Sequence, residues 1–279
     1  MVRIPGGRFQ MGSNHHYPEE APARVAAVAS FWMDRTPVTN RMFARFAEDT
    51  GYRTVAEREI ENLICDGEFD RRPGSLVFSQ PETASCGAWW KFVRGASWRC
   101  PDGTDSLRDE LLDHPVVHMA LEDAMAYARW AGKTLPSEEE WEFAARGGLS
   151  GAEFAWGDTL APGDVHMANT WQGEFPYENT LEDGFLGTSP VGSFPPNGYG
   201  LMDTIGNVWE WTIDLWQGPA VQSCAGTGDS TAVHVIKGGS YLCAPNYCRR
   251  YRPAARHPQS ADSGTSHIGF RCIIRERAS

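Results

Sequence analysis

"KGGSYLCAPNYCRRYR", residues 237–252, sets Cys243 and Cys248 behind a glycine pair and ahead of Arg249, Arg250 and Arg252. On the residues alone three readings of the two thiols stand side by side: a disulfide, half of a metal site, or two unrelated buried thiols. A C-x4-C spacing is no specific metal pattern. The five-position spacing and Pro245 point to a bend that brings the sulfurs together. The chain holds seven cysteines, an odd number, so at least one thiol is free unless two chains are linked. The opening residues "MVRIPGGRFQMGS" have no apolar signal core, and no run approaches the ~18 apolar residues of a membrane span. The chain therefore reads as cytoplasmic, where reducing conditions disfavour structural disulfides.

Outward from this stretch, the composition describes a loop-rich globular chain. Twenty-nine glycines and 18 prolines in 279 residues exceed the roughly 12% of average usage, and both residue types punctuate helices and strands. Eleven tryptophans argue against disorder, which is poor in aromatics. A net charge of −11 disfavours a nucleic-acid partner, since binding there requires basic patches that displace counterions.

Local patterns predict three helices. "PVTNRMFARFAEDTGY" has Thr39 as N-cap, an apolar stripe of Phe43, Phe46 and Ala47, and a stop at Gly51. "LEDAMAYARWAG" puts Ala124, Tyr127, Ala128 and Ala131 on one face. "SEEEWEFAARGG" opens with a capping box of Ser137 and Glu140 and closes on Gly147-Gly148. "ARVAAVASFWM" reads as an early strand, residues 58–113 as a long irregular region, and the chain beyond 150 as turns with short strands such as "AVHVIKGGSYL" and "IGFRCIIRE". No linker or internal repeat divides the chain, which reads as one domain, 1–279. His114 and His118 are four apart, but Pro115 keeps His114 out of a helix, so they read as histidines on a strand leading into a helix and not as a metal pair. G-x-S-x-G, H-E-x-x-H, P-loop, G-x-G-x-x-G and C-x-x-C motifs are absent.

Five segments in the second half, "WAGKTLPSEEEWEFAARGG", "WQGEFPYENTLEDGFLGTSPVGSFPPNGYGLMD", "GNVWEWTIDLW", "KGGSYLC" and "GFRC", occur in an order that closely resembles the formylglycine-generating enzyme family, also called sulfatase-modifying factors. The resemblance begins at "IPGGRFQMGS" and covers nearly the whole chain. It implies an α+β fold, a single irregular domain with low regular secondary structure, distantly like C-type lectins. It also implies an oxidase that converts the cysteine of a Cys-x-Pro-x-Arg motif in unfolded sulfatase polypeptides to Cα-formylglycine with molecular oxygen and copper. Cys243 and Cys248 match the family's catalytic thiols and are implied as joint Cu(I) ligands, in keeping with the preference of that soft ion for sulfur. The substrate cysteine would add a third sulfur, and a thioaldehyde would then hydrolyse to the aldehyde with release of sulfide. Ser240 matches an active-site serine beside the oxygen site, and Cys243 the thiol that forms a disulfide with substrate off the main path.

Two loops resemble the family's calcium sites. Asn169, Thr170, Asp183 and Phe185 are implied for the first and Asp203, Gly206, Val208 and Glu210 for the second, with carbonyls from Thr170, Phe185, Gly206 and Val208. Such a set suits a hard ion that takes six to eight oxygens. The chain departs from the pattern at His267, where some members carry asparagine; a polar role beside the site and an ordinary surface histidine stay open. Cys272 matches a cysteine that is disulfide-bonded in secretory members, but its usual partner is Ala145 here. Cys65, Cys86, Cys100 and Cys224 carry no role. The alternative function is a non-catalytic ligand- or protein-binding module on the same scaffold, which has no reason to keep the trio of Ser240 and the two thiols. The family's iron-dependent sulfoxide synthase branch would need a histidine-rich motif and a further helical domain, neither of which this sequence shows.

Overall fold

Thr39 begins the first helix by accepting the Met42 N–H on its hydroxyl at 3.3 Å, and Gly51, at φ 67°, ends it by donating to the Ala47 carbonyl. The computed structural model describes residues 1–59, 72–81, 89–104, 106–218 and 232–276, with the backbone of 62–63 and 69–70. Cys65, Cys86 and Cys224 lie outside the described residues. In chain order the elements are β1 (Val2–Ile4), β2 (Gly7–Met11), β3 (Arg24–Val28), β4 (Phe31–Met33), α1 (Asn40–Thr50), β5 (Asn62–Leu63), β6 (Phe69–Asp70), β7 (Gly74–Phe78), β8 (Trp90–Arg94), α2 (Leu121–Trp130), α3 (Glu138–Ala145), β9 (Trp209–Leu215), β10 (Val233–Lys237), β11 (Arg256–Ser260), β12 (Ile268–Gly269) and β13 (Ile273–Arg275). The result is α+β, with short elements and much irregular chain between them.

The three helices stand where the sequence puts them. In α3 the capping box is complete: Ser137 Oγ accepts from Glu140 N at 3.1 Å and Glu140 Oε2 from Ser137 N at 2.8 Å. The expected early strand divides in two. β3 pairs with β2, whereas β4 is the centre of a separate sheet ordered β1-β4-β13. The two halves serve different sheets, so the chain breaks at Ala29-Ser30. The region read as irregular contains the hairpin β7–β8, whose register pairs Phe78 with Trp90. His118 takes a left-handed φ of 62° and is no strand residue, and its Nε2 meets the Pro101 carbonyl while His114 Nδ1 meets Thr188. The histidines therefore do not converge.

The largest sheet, ordered β11-β10-β9-β12, is antiparallel except for β12 against β9. α1 and α2 cover it, burying Phe43, Phe46 and Tyr127 against Trp209, Trp211, Ile236 and Phe270, with Cys243 and Cys272 in the same core. Cys272 is fully buried and unlinked. α3 packs a second core of Trp141, Phe143 and Leu201 onto β1, β4 and β13. No helix among the described residues is long and apolar enough to cross a membrane.

A buried ion pair joins these layers. Lys237, the last residue of β10, donates to Glu142 of α3 at 2.9 Å, and both side chains are essentially inaccessible. The other Glu142 oxygen accepts from Arg146 at 2.8 Å and from Gly12 N at 2.7 Å. Burial raises the carboxyl's pKa, but Lys237, Arg146 and the Gly12 N–H together hold it below its usual 4.5. With the folded pKa depressed, the stability this group contributes is present above about pH 4.5 and is lost as pH falls through the lower, folded value. Glu142→Gln leaves two buried cations under-compensated and is expected to cost about 3–5 kcal/mol. Urea unfolding at pH 7 measures the loss, and the gap between variant and wild type should narrow as the pH drops below 4.

Candidate functional site

β10 delivers the chain to Gly238 (φ 98°) and Gly239 (φ 72°), conformations that side chains strain to adopt. A Cβ on Gly239 would stand 2.9 Å from the Arg250 carbonyl, so the two arms of the loop approach backbone to backbone. Ser240 then opens a turn: its carbonyl accepts from Cys243 N at 2.9 Å, and its hydroxyl accepts from Leu242 N at 3.2 Å. A second turn starts at Ala244, whose carbonyl accepts from Tyr247 N and from Cys248 N at 3.2 and 3.1 Å. Pro245 suits the start of that turn because its missing N–H would have no partner there. The five-residue spacing thus returns Cys248 to Cys243, with the sulfurs 3.2 Å apart. That exceeds the ~2.05 Å of a covalent bond, and both thiols are free.

The two sulfurs are not equivalent. Cys243 is only 2% exposed, and burial, with Cys248 beside it, pushes its thiol well above the ordinary range. Cys248 is more open, and its pKa falls to about 7, first because the Cys243 thiol donates to it and second because Arg250 stands nearby. Ser240 N also donates to Cys243 Sγ at 3.4 Å. Cys248, the more exposed of the two, is the sulfur an incoming thiol meets first. A mixed disulfide at Cys243 would require the loop to open.

Of the three arginines only Arg250 faces the site, with Nη1 at 3.8 Å from Cys248 Sγ. Arg249 pairs with Glu153 at 2.8 Å, and Arg252 is buried on Glu20 at 2.7 Å. An aromatic wall flanks the opening. Tyr247, half-exposed, stacks on Phe175 at 4.3 Å and meets Trp89 edge-on. Behind them lie Trp171 and Leu242. His267 is half-buried: its ring packs on Trp90 at 4.8 Å and meets the Thr265 hydroxyl. Burial, with His257 and His118 nearby, lowers its pKa to about 3, so the ring is neutral. A cleft of about 230 Å³ is lined by Pro245 and Tyr251 of the loop together with Trp171, Met167, Leu160 and Glu182. Sequence reading missed Tyr247 and Phe175, although Tyr247 stood inside the opening stretch.

The implied calcium residues differ in fit. Asn169, Thr170, Asp183 and Phe185 come together beside the thiol loop, to which Trp171 N is tied through the Cys243 carbonyl at 3.0 Å. Asn169 is buried and its Oδ1 has no hydrogen-bond partner. An orphaned buried oxygen in an oxygen-rich loop is what a hard cation would satisfy. In the second set, both Glu210 oxygens are engaged by Arg271, at 2.7 and 2.8 Å, and Oε2 also accepts from Trp141 Nε1 at 2.7 Å. That carboxylate already carries a buried cation, whereas Asp183 accepts only from the neutral Thr170 N, Gln172 Nε2 and Phe185 N, so the second set fits a calcium ion less well than the first. Asp203 accepts from Gly192 N at 2.6 Å, which leaves it with the Gly206 and Val208 carbonyls. Among the described residues no three of His, Cys, Asp or Glu converge as a metal cluster, so a soft ion on the thiol pair would look to an outside donor for its next ligand.

A loop-rich α+β domain holding two adjacent, unlinked thiols beside an aromatic opening defines a protein built for thiol chemistry. Residues 1–276 match the sulfatase-modifying factor enzyme 1-like domain, and the chain belongs to that family. It is 50% identical to the formylglycine-generating enzyme of Mycobacterium tuberculosis, with 98% of this chain and 97% of that one covered. It is also 41% identical to the inactive C-alpha-formylglycine-generating enzyme 2 of Bos taurus, covering 98% of this chain and 87% of the other. The solved structure of PvdO from Pseudomonas aeruginosa superposes with a TM-score of 0.66 at 25% identity, over 99% of this chain and 94% of that one. Since relatives include an inactive protein, similarity alone does not decide catalysis, and the weight falls on the thiol pair.

The asymmetry of the pair is directly testable. Iodoacetamide should label Cys248 first, with half-maximal rate near pH 7, while Cys243 stays protected up to alkaline pH. Peptide mapping by mass spectrometry reads which thiol is modified; equal labelling at pH 7 would contradict the assignment.

Proposed function

We propose that this protein is a formylglycine-generating oxidase, which converts the cysteine of a Cys-x-Pro-x-Arg segment in unfolded sulfatase polypeptides to Cα-formylglycine with molecular oxygen. The observation that carries this reading is the pair of free sulfurs 3.2 Å apart at the end of the glycine turn. The donor set fits Cu(I), a soft ion that prefers thiolate to carboxylate or water. Copper, when held by Cys243 and Cys248, supplies the one-electron chemistry that oxygen requires. The protein's residues do the rest. Cys248 presents the more ionised sulfur at the opening, and the fully buried Ser240 holds the turn that sets the spacing. Tyr247, Phe175 and Trp89 offer an apolar wall for an extended segment, and the neutral ring of His267 lies nearby as a hydrogen-bonding group. An unfolded segment is preferred because a folded sulfatase would bury the cysteine that must reach the thiols.

The deciding assay incubates copper-loaded protein in air with Cys-x-Pro-x-Arg peptides and measures aldehyde by hydrazine trapping and mass spectrometry. Aldehyde should form with oxygen and without flavin or nicotinamide. Ser240→Ala should slow turnover, and loss of either thiol should abolish it. No aldehyde from several such peptides would leave the binding-module reading in its place.

We assign calcium to the first loop, supported by the orphaned Asn169 oxygen and the nearby Asp183 carboxylate. An ion bound only by the folded state adds about 3 kcal/mol at a hundredfold excess over its dissociation constant. Chelation should therefore lower the melting temperature of the wild-type protein, and Asp183→Ala should remove that response. An unchanged melting curve after verified calcium removal would make the loop an ordinary turn.

A further inference from the structure

The N-terminal turn at Tyr17–Glu20 lies against the arginine-rich arm of the thiol loop, more than 230 residues away in sequence. We propose that Glu19 and Tyr17 hold Arg250 as the fixed counter-cation of the thiol pair, which makes this turn a working part of the metal site. The inference rests on the copper reading above.

Charge balance states the need. Two thiolates with a monovalent ion leave one net negative charge, and a substrate thiolate would add another. Negative charge in a mostly buried pocket is costly unless a cation compensates it. Arg250 Nη1 is 3.8 Å from Cys248 Sγ, while Arg249, Arg252 and Arg256 are directed to Glu153, Glu20 and Glu138. Among the described residues Arg249 and Arg252 are the loop's other guanidinium groups and Arg256 opens β11, and each of the three is turned to its carboxylate and not to a sulfur.

The geometry also stops Arg250 from swinging away. Glu19 Oε1 accepts from Nε at 3.1 Å and Nη2 at 2.6 Å, on the side of the fork away from Nη1. The guanidinium lies over the Tyr17 ring at 3.8 Å, and the Tyr17 hydroxyl accepts from Arg249 N at 3.0 Å. Glu19 neutralises the remote edge of the fork, so the nearest charge the sulfur meets is still the cation. The turn itself is locked. Glu20, its next residue, is buried against Arg252, the Glu20 carbonyl accepts from Ser13 N at 3.1 Å, and Gly12 N reaches Glu142. The cost of ordering Arg250 is therefore met on folding and not when the ion binds.

The test measures Cu(I) affinity of the full chain under argon, by competition with a chromophoric Cu(I) chelator, with melting temperature as a parallel readout. Arg250→Met should weaken Cu(I) binding at least tenfold, and Arg250→Lys should recover most of that loss. Arg249→Met removes the same charge one residue from Cys248, but on a side chain turned to Glu153, and should stay within twofold of wild type. A purely scaffolding role would lower the melting temperature and leave affinity unchanged, which overturns the proposal. So does an equal loss from Arg249→Met, or no recovery with lysine. If Arg250→Met does not fold, Tyr17→Leu carries the test, since it frees the guanidinium without changing the charge around the site; at least a threefold loss is expected and wild-type affinity refutes it. A wild-type protein that binds no Cu(I) would sink the copper reading itself and this inference with it, an outcome distinct from the others.

Discussion

The buried pair of Lys237 and Glu142 is the constraint on which the site depends. Lys237 is the residue before the glycine turn, and Glu142 lies on α3, so their 2.9 Å contact fixes where β10 stops and the thiol loop begins. The same carboxylate takes the Gly12 N–H, which begins the N-terminal loop that reaches Arg250 and Arg252. One anion thus sets the base of both segments that meet at Cys248. Buried ion pairs are weak sources of net stability, because desolvation offsets most of the attraction. Their value lies in position, since an alternative packing would leave Lys237, Arg146 or Glu142 buried without a partner.

From this base the thiol geometry follows by short steps. Two left-handed glycines reverse the chain, a turn at Ser240 places Cys243 inward, and one further turn from Ala244 brings Cys248 back over it. The two sulfurs differ in character: burial pushes the inner thiol's pKa up, while the hydrogen bond it donates lowers that of the outer one to about 7. Symmetric exposure would have made both thiols equally reactive and the pair more prone to close as a disulfide. The inward placement of Cys243 in the main aromatic core supports the asymmetry.

What could be read in the sequence was what is decided locally. Caps, helix stripes and the glycine stops lie within a few residues of what they control, and α1, α2 and α3 stand as read. The bend that joins Cys243 to Cys248 spans six residues, but the pair was singled out as a site only through the family resemblance of the motifs around it. Long-range pairing was not legible. The split of β3 from β4 is imposed by β1 and by β13, the latter some 240 residues further along, and the selection of Arg250 over Arg249 and Arg252 is imposed by Glu19, Glu20 and Glu153. Nothing local told the three arginines apart. Glu210 shows the same limit: as a loop carboxylate it read as a cation ligand, yet Arg271, 61 positions later, occupies it with a guanidinium.

The place of Arg271 on Glu210 has a structural logic. An arginine held by Glu210, and donating further to the carbonyls of Met202 and Asp203 at 2.9 and 2.8 Å, ties the segment 202–210 to the link between β12 and β13 through covalently attached charge. It needs no metal supply and is present in every folded molecule. Among the described residues the Asn169 loop has no such internal cation, and the buried Asn169 Oδ1 is without a hydrogen-bond partner. The two loops are therefore held by different contacts, and the calcium proposed above is assigned to the one next to the thiols. Since Trp171 N is bonded to the Cys243 carbonyl, ordering that loop also orders the inner thiol, so the calcium proposed there would act on the thiols only through the backbone.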